Sequence, residues 1–289
     1  MDVSKHIENT LLKATAEISA SPCPDKLASG IAYAVFPGGA RVRPKLVMAV
    51  AQACADANAP LANQAAVAIE FLHCASLVQD DLRCFDDAAT RRGKPTLHLA
   101  FDERMAILVS DALIVAAFER ISSVKHVSAA AQLGLINVLS RHVGSRHGIT
   151  AGQAWECEEQ IDTEAYHQAK TGALFAAATQ AGAVSVGAPD TQWAQTGLHI
   201  GTAYQIADDI HDVLGDADSL GKPVNVDARH GRPNAVHEMG VDAAVSRLKQ
   251  QIQQVVDSVP DCKNADFFIQ TVRHEAKRFL PKELALSAA

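Results

Sequence analysis

Apolar residues recur along this chain at helical spacing, broken by short polar segments rich in Gly, Pro and charge. Over residues 2–20, Ile7, Leu11 and Leu12 predict an opening helix with Ser4 as its N-cap. Ser21-Pro22-Cys23-Pro24 ends it, and a short helix is expected from Asp25 to Val35. A Gly-rich turn, Phe36-Pro37-Gly38-Gly39-Ala40-Arg41-Val42-Arg43-Pro44, precedes an apolar helix from Leu46 to Ala55. Residues 62–82 read as a long apolar helix ending in Gln79-Asp80-Asp81, followed by a polar segment from Leu82 to Thr96. Further helices are expected at 103–120 and 127–140, then after Gly148 one that holds Glu156, Glu158 and Glu159. Helices at 164–187 and 192–214 follow, then a polar loop from Gly215 to Pro233 and two or three weaker helices with a tail over 234–289. No strand, linker or short repeat emerges, so residues 1–289 read as one all-α domain.

The longest apolar stretches, around 61–78 and 105–118, are interrupted by Glu70, His73 and Asp111 and read as too short or too polar for a membrane span. Asp111 is expected to be a buried, hydrogen-bonded structural residue. Apolar residues make up 48% of the chain but aromatics only 5%, which favours close-packed Ala-rich helices over strands. A net charge of −7 argues against nucleic acid as the partner, while leaving room for a small anion at a local basic cluster. Six cysteines without a C-x-x-C pair read as reduced, mostly buried thiols of a cytoplasmic protein. The polar N-terminus lacks a signal-peptide core, and the 12 histidines offer no zinc spacing.

The candidate chemistry is carried by carboxylates. Asp208, Asp209 and Asp212 stand at i, i+1 and i+4 with no lysine until Lys222. Oxygen ligands on one helix face suit a hard cation such as Mg²⁺ bound together with substrate phosphates; a plain acidic helix face explains that cluster alone equally well. A second cluster, Asp80-Asp81 with Asp86-Asp87, lies 128 residues earlier, and Arg91, Arg92 and Lys94 follow it. The turn carrying Arg41 and Arg43 ahead of a helix is a candidate anion site, or an ordinary loop with exposed arginines. Lys170 in an Ala-rich helix reads as a snorkelling lysine or as a functional one. Facing acidic helices with basic loops could grip a diphosphate through metal ions, above an apolar bundle able to hold a greasy tail.

At this point the motifs resemble a known family. Asp80-Asp81-Leu82-Arg83-Cys84-Phe85-Asp86 and Asp208-Asp209-Ile210-His211-Asp212 are similar to the two aspartate-rich motifs of the trans-isoprenyl diphosphate synthase, or polyprenyl synthetase, family. The likeness covers nearly the whole chain and includes Gly38 to Pro44, His73, Arg91 to Thr96, Gly152-Gln153, Lys170 to Phe175, Gln205 and Gly221-Lys222-Pro223. Phe36-Pro37-Gly38-Gly39-Ala40-Arg41 and Ala151-Gly152-Gln153-Ala154-Trp155-Glu156 further resemble geranylgeranyl diphosphate synthases of bacterial carotenoid and bacteriochlorophyll pathways.

The resemblance implies an isoprenoid-synthase-type helical bundle around a central hydrophobic cavity, working as a homodimer. It implies condensation of isopentenyl diphosphate with an allylic diphosphate. Asp80, Asp81, Asp86, Asp208, Asp209 and Asp212 would bind Mg²⁺. Arg91, Lys170 and Lys222 would clamp the allylic diphosphate, and Arg43, His73 and Arg92 would bind isopentenyl diphosphate. Thr171 and Gln205 would steady the developing positive charge. Two positions depart from the family pattern. Ala40 replaces a common lysine, a loss of roughly 1.5–3 kcal/mol if one charge-assisted contact disappears, and Arg83 stands where proline is frequent. The bacterial subgroup shares the alanine. Ala75 and Ser76, one turn before Asp80, are small where farnesyl-producing relatives commonly carry an aromatic, so a C20 product is expected, with C15 and longer chains as alternatives. A non-catalytic partner subunit or a terpene cyclase fits the intact aspartates and Arg43, His73 and Arg92 less well.

Overall fold

The computed structural model describes residues 2–36, 38–55, 59–214 and 234–278. At its centre stands α4 (Pro60–Asp80), apolar nearly all round and with most of its residues between Leu61 and Val78 buried. That helix is long and apolar enough to cross a membrane, yet 72% of its most apolar window is packed inside the bundle, the position of a core helix. Around it pack α3 (Val42–Cys54), α6 (Glu103–Ser122) and α10 (Ala173–Ser185), and α10 in turn carries α7 (Ala129–Val143) and α11 (Thr191–Leu214). All of α10 except Val184 is buried, because its alanines let neighbouring backbones approach closely. The outer helices are α1 (Val3–Ile18), α2 (Asp25–Val35), the short α5 (Leu97–Ala100), α8 (Ile149–Ala154), α9 (Thr163–His167), and α12 (Ala235–Met239), α13 (Val241–Asp257) and α14 (Ala265–Arg278).

The helical reading of the sequence holds, with local corrections. Asp2, not Ser4, caps α1: its carboxylate accepts the N–H groups of Ser4 and Lys5 at 3.1 and 3.2 Å. The third helix starts at Val42 rather than Leu46, because Pro44 falls in a first turn, where its missing N–H costs nothing. A two-residue antiparallel ladder, β1 (Thr90–Arg91) with β2 (Lys94–Pro95), stands where no strand was expected. Its turn has φ of 53° at Arg92 and 75° at Gly93, the doubly left-handed turn that suits a tight hairpin. The helix after Gly148 ends through a 3₁₀ turn at Cys157, leaving Glu158 and Glu159 outside. The expected 164–187 helix is interrupted by a π turn over Gln168–Gly172. Asp111 is exposed, not buried, and Cys74 is the one buried cysteine of the six.

Candidate active site

The end of α4 builds the first acidic cluster. Asp80 is its last residue and Asp81 its C-cap, and the chain folds back so that the Asp86 N–H donates to the Asp80 carbonyl at 2.9 Å. Arg91, on the hairpin, grips Asp81 from Nε (2.8 Å to both carboxylate oxygens) and from Nη2 at 2.7 Å. Such a fork fits a carboxylate better than a lysine would. Burial pushes the Asp80 carboxyl up to about 6, against the pull of Lys170, and Asp86 adds to the rise. Burial likewise raises Asp81, opposed by Arg91. Arg83 is exposed beside this loop.

The second cluster occupies the last turns of α11. Asp208 and Asp212 share a face by i,i+4 spacing, and Asp209 and Asp212 are both buried. Asp209 already holds two protein donors: Gln205 Nε2 on one oxygen and the Ala235 N–H on the other, each at 2.8 Å. It thereby ties α11 to the start of α12.

Between the clusters lies Lys170. The π turn widens the helix at Gln168–Gly172 and turns both Lys170 and Thr171 into the cavity, a feature often found at functional sites. Lys170 Nζ contacts the Glu156 carboxylate and lies 3.8 Å from Asp80. Tyr166 donates its hydroxyl to the same Glu156 at 2.7 Å. Lys170 is therefore a paired interior cation, not a snorkelling one. Thr171 donates to Gln205 Oε1 at 2.8 Å.

A cationic group closes the far side. Arg43 lies 3.4 Å from His73 and stacks over Phe175 at 4.3 Å, and its buried Nε has no hydrogen-bond partner among the described residues. Burial lowers His73 well below the usual imidazole range, and Arg43, Arg92, Arg91 and Arg41 add to this, so the ring is neutral. Gly39 presses on Arg92: a Cβ there would meet its guanidinium at 2.7 Å. Of the two arginines in the Gly-rich turn, only Arg43 faces this cavity; Arg41 turns inward to Glu8 and Glu70. Lys45 does not replace the family lysine absent at Ala40, since it reaches Glu275 of α14 at 4.0 Å.

One cavity of about 640 Å³ joins these groups. Asp80, Asp208, Lys170, Thr171, Gln205, Arg43 and His73 line it together with Ala75 and Ser76 of α4 and Ile107, Asp111 and Ile114 of α6. Ser110 fastens those two helices by donating to the Ala75 carbonyl at 3.3 Å. Asp81, Arg91 and Arg92 line a smaller neighbouring cavity of about 50 Å³. Lys222 lies outside the described residues.

The polyprenyl synthetase family model matches residues 24–267 of this arrangement. The chain belongs to the polyprenyl synthetase family. This family elongates prenyl chains. Among its members, a geranylgeranyl diphosphate synthase of Cereibacter sphaeroides is 47% identical over 285 residues, 99% of each chain. A farnesyl diphosphate synthase of Bacillus subtilis is 33% identical over 264 residues, 88% of each chain. A solved structure of a Helicobacter pylori geranyltransferase, complexed with magnesium and isoprenyl diphosphate, superposes with a TM-score of 0.79 at 28% identity, covering 96% of this chain and 97% of that one.

As a polyprenyl synthetase, the chain carries an oxygen-only donor set at its two acidic helix ends. Among the described residues, no three carboxylate, imidazole or thiol side chains form a closed metal cage. Mg²⁺ requires none, since it is typically held by one or two carboxylates and substrate phosphates. Burial, the main cause of the Asp80 carboxyl rising to about 6, disfavours its charged form, and a cation bound beside it would favour that form. Sequence reasoning named Glu156 within the Ala151–Glu156 motif without giving it a role and missed Tyr166; Glu156 contacts Lys170 directly, and Tyr166 holds Glu156.

Proposed function

We propose that this chain is a Mg²⁺-dependent prenyltransferase that joins isopentenyl diphosphate head to tail (1'-4) to allylic diphosphates, releasing pyrophosphate, with geranylgeranyl diphosphate (C20) as main product. One observation carries the reading: Asp80 and Asp208, from helices 128 residues apart, line one cavity with Lys170 while Ala75 and Ser76 line its apolar wall. Residues 1–289 are read as a single polyprenyl synthetase domain.

In this reading Asp80, Asp81, Asp86, Asp208, Asp209 and Asp212 hold Mg²⁺, which supplies positive charge to the leaving diphosphate. Lys170, Arg91 and Lys222 grip the allylic diphosphate. Arg43 offers its unpartnered buried Nε, with neutral His73 and Arg92, to isopentenyl diphosphate. Thr171 and Gln205 present oxygens to the allylic carbon as its C–O bond ionises. The homoallylic double bond then attacks that carbon, and the released pyrophosphate takes the proton lost from the adduct. The small Ala75 and Ser76 and the greater identity to a geranylgeranyl than to a farnesyl diphosphate synthase support a C20 limit.

The same reading makes the protein a cytoplasmic homodimer without nucleic-acid partners, feeding isoprenoid biosynthesis such as carotenoid biosynthesis. Leu108 (52% exposed) and Val115 (67%) on α6, with Leu133 (60%) on α7, offer a surface that a second copy would cover. The test is product analysis. Purified protein receives Mg²⁺, labelled isopentenyl diphosphate and C5, C10 or C15 primers, and the dephosphorylated alcohols are sized. A dominant C20 alcohol is expected. A C15 stop overturns the length assignment, and no product from any primer overturns catalysis in favour of a partner-subunit role.

A further inference from the structure

Arg41 is the cation of the Gly-rich turn that the proposed chemistry leaves unused. Its side chain is buried, and its backbone stands at φ 51°, ψ 40°, a left-handed conformation that non-glycine residues keep only when their surroundings hold them there. Three elements do so. Nε meets Glu8 of α1 at 2.8 Å, Nη1 meets Glu70 of α4 at 2.5 Å, and Nη2 donates to the Val35 carbonyl at the end of α2 at 2.9 Å. Gly38 closes over the fork, where a Cβ would come 2.5 Å from Nη2. Burial opposes the charge, but Glu8 and Glu70 outweigh it and hold the guanidinium protonated.

This knot is two residues from Arg43. Its partner Glu70 lies three residues before His73 on the same helix. We propose that Arg41 is a positioning residue for the homoallylic diphosphate site: its three-way fork locks the turn ahead of α3 onto α4 and so holds Arg43 at 3.4 Å from His73. The inference rests on the assignment of Arg43 and His73 to isopentenyl diphosphate. Lysine cannot replace the fork, because one ammonium on a flexible stem cannot reach three partners in fixed directions.

The test compares Arg41→Lys, Gly38→Ala and Arg43→Ala at saturating Mg²⁺, by steady-state kinetics and thermal melting. Arg41→Lys is expected to raise KM for isopentenyl diphosphate about tenfold, with KM for the allylic primer changed less than about twofold. Gly38→Ala pushes on the guanidinium without removing charge, and should give the same split even if Arg41→Lys fails to fold. Equal rises in both KM values, or an unchanged KM for isopentenyl diphosphate in both variants, overturn the positioning role. If Arg43→Ala itself leaves that KM unchanged, the site assignment falls and this proposal with it.

Discussion

Gly152 lies so close beneath Lys170 that a side-chain carbon on it would stand 2.4 Å from the Lys170 Cα. The helix α8 and the π turn thus dock backbone to backbone, and this contact aims Lys170 at Asp80. Gly152→Ala must separate the two, at a cost of about 1–3 kcal/mol for overpacking. A melt lowered by several degrees and a raised KM for the allylic primer are expected. An unchanged melt would mean that α8 can move aside freely.

Lys170 bridges Glu156 and Asp80, so Lys170→Ala leaves two carboxylates without their shared cation. The loss of one charge-assisted contact of about 1.5–3 kcal/mol predicts a KM for the allylic primer raised roughly ten- to hundredfold. KM for isopentenyl diphosphate should change little. A variant in which only that second constant moved would reverse the assignment of the two diphosphate sites.

The raised Asp80 carboxyl makes a prediction for the metal-free protein. Its value of about 6 lies above the ordinary 3.8, so the native state binds this proton more tightly than the unfolded chain does. The stabilisation is complete below about pH 4 and is lost as pH rises through 6, by an upper bound of about 3 kcal/mol. Asp80→Asn has no such proton to lose. In chelator, the variant should therefore gain stability over the parent between pH 4 and 7, by paired denaturant titrations. A pH-independent difference between the two proteins would contradict the burial argument.

Ser76→Phe places a ring in the cavity wall one turn from Asp80, where Ser76 now donates to the His73 carbonyl at 2.9 Å. Chromatography of the alcohols should find the C20 fraction reduced by about tenfold in favour of C15 or shorter chains, since a few buried methylenes carry that much free energy. An unaltered product profile would place the length limit elsewhere, with the wall at Ile114 next in line.

Ala40 is exposed, and Lys45 is occupied by Glu275, so nothing in the described residues supplies the missing family lysine. Ala40→Lys should lower KM for isopentenyl diphosphate by up to about tenfold. A raised value would mean that the guanidinium groups of Arg43 and Arg92 do not tolerate another cation beside them.

What the sequence alone determined was local. Helical periodicity and Gly-Pro punctuation place the major helices within a few residues, because spacing on a helix decides which side chains share a face. The two acidic motifs were legible for the same reason, as were the small Ala75 and Ser76. Pairing was decided only by the tertiary structure. Arg41 and Arg43 look equivalent in the turn, yet Glu70, 29 residues away, and Glu8, 33 away, draw Arg41 inward while Phe175 and His73 receive Arg43. Asp111 looked like a buried core carboxylate but stands exposed where α6 lines the cavity, and Asp209 binds the backbone of Ala235. Burial and charge partnership arise from contacts between distant segments, and no local spacing in the chain encodes which of two like residues will find its partner.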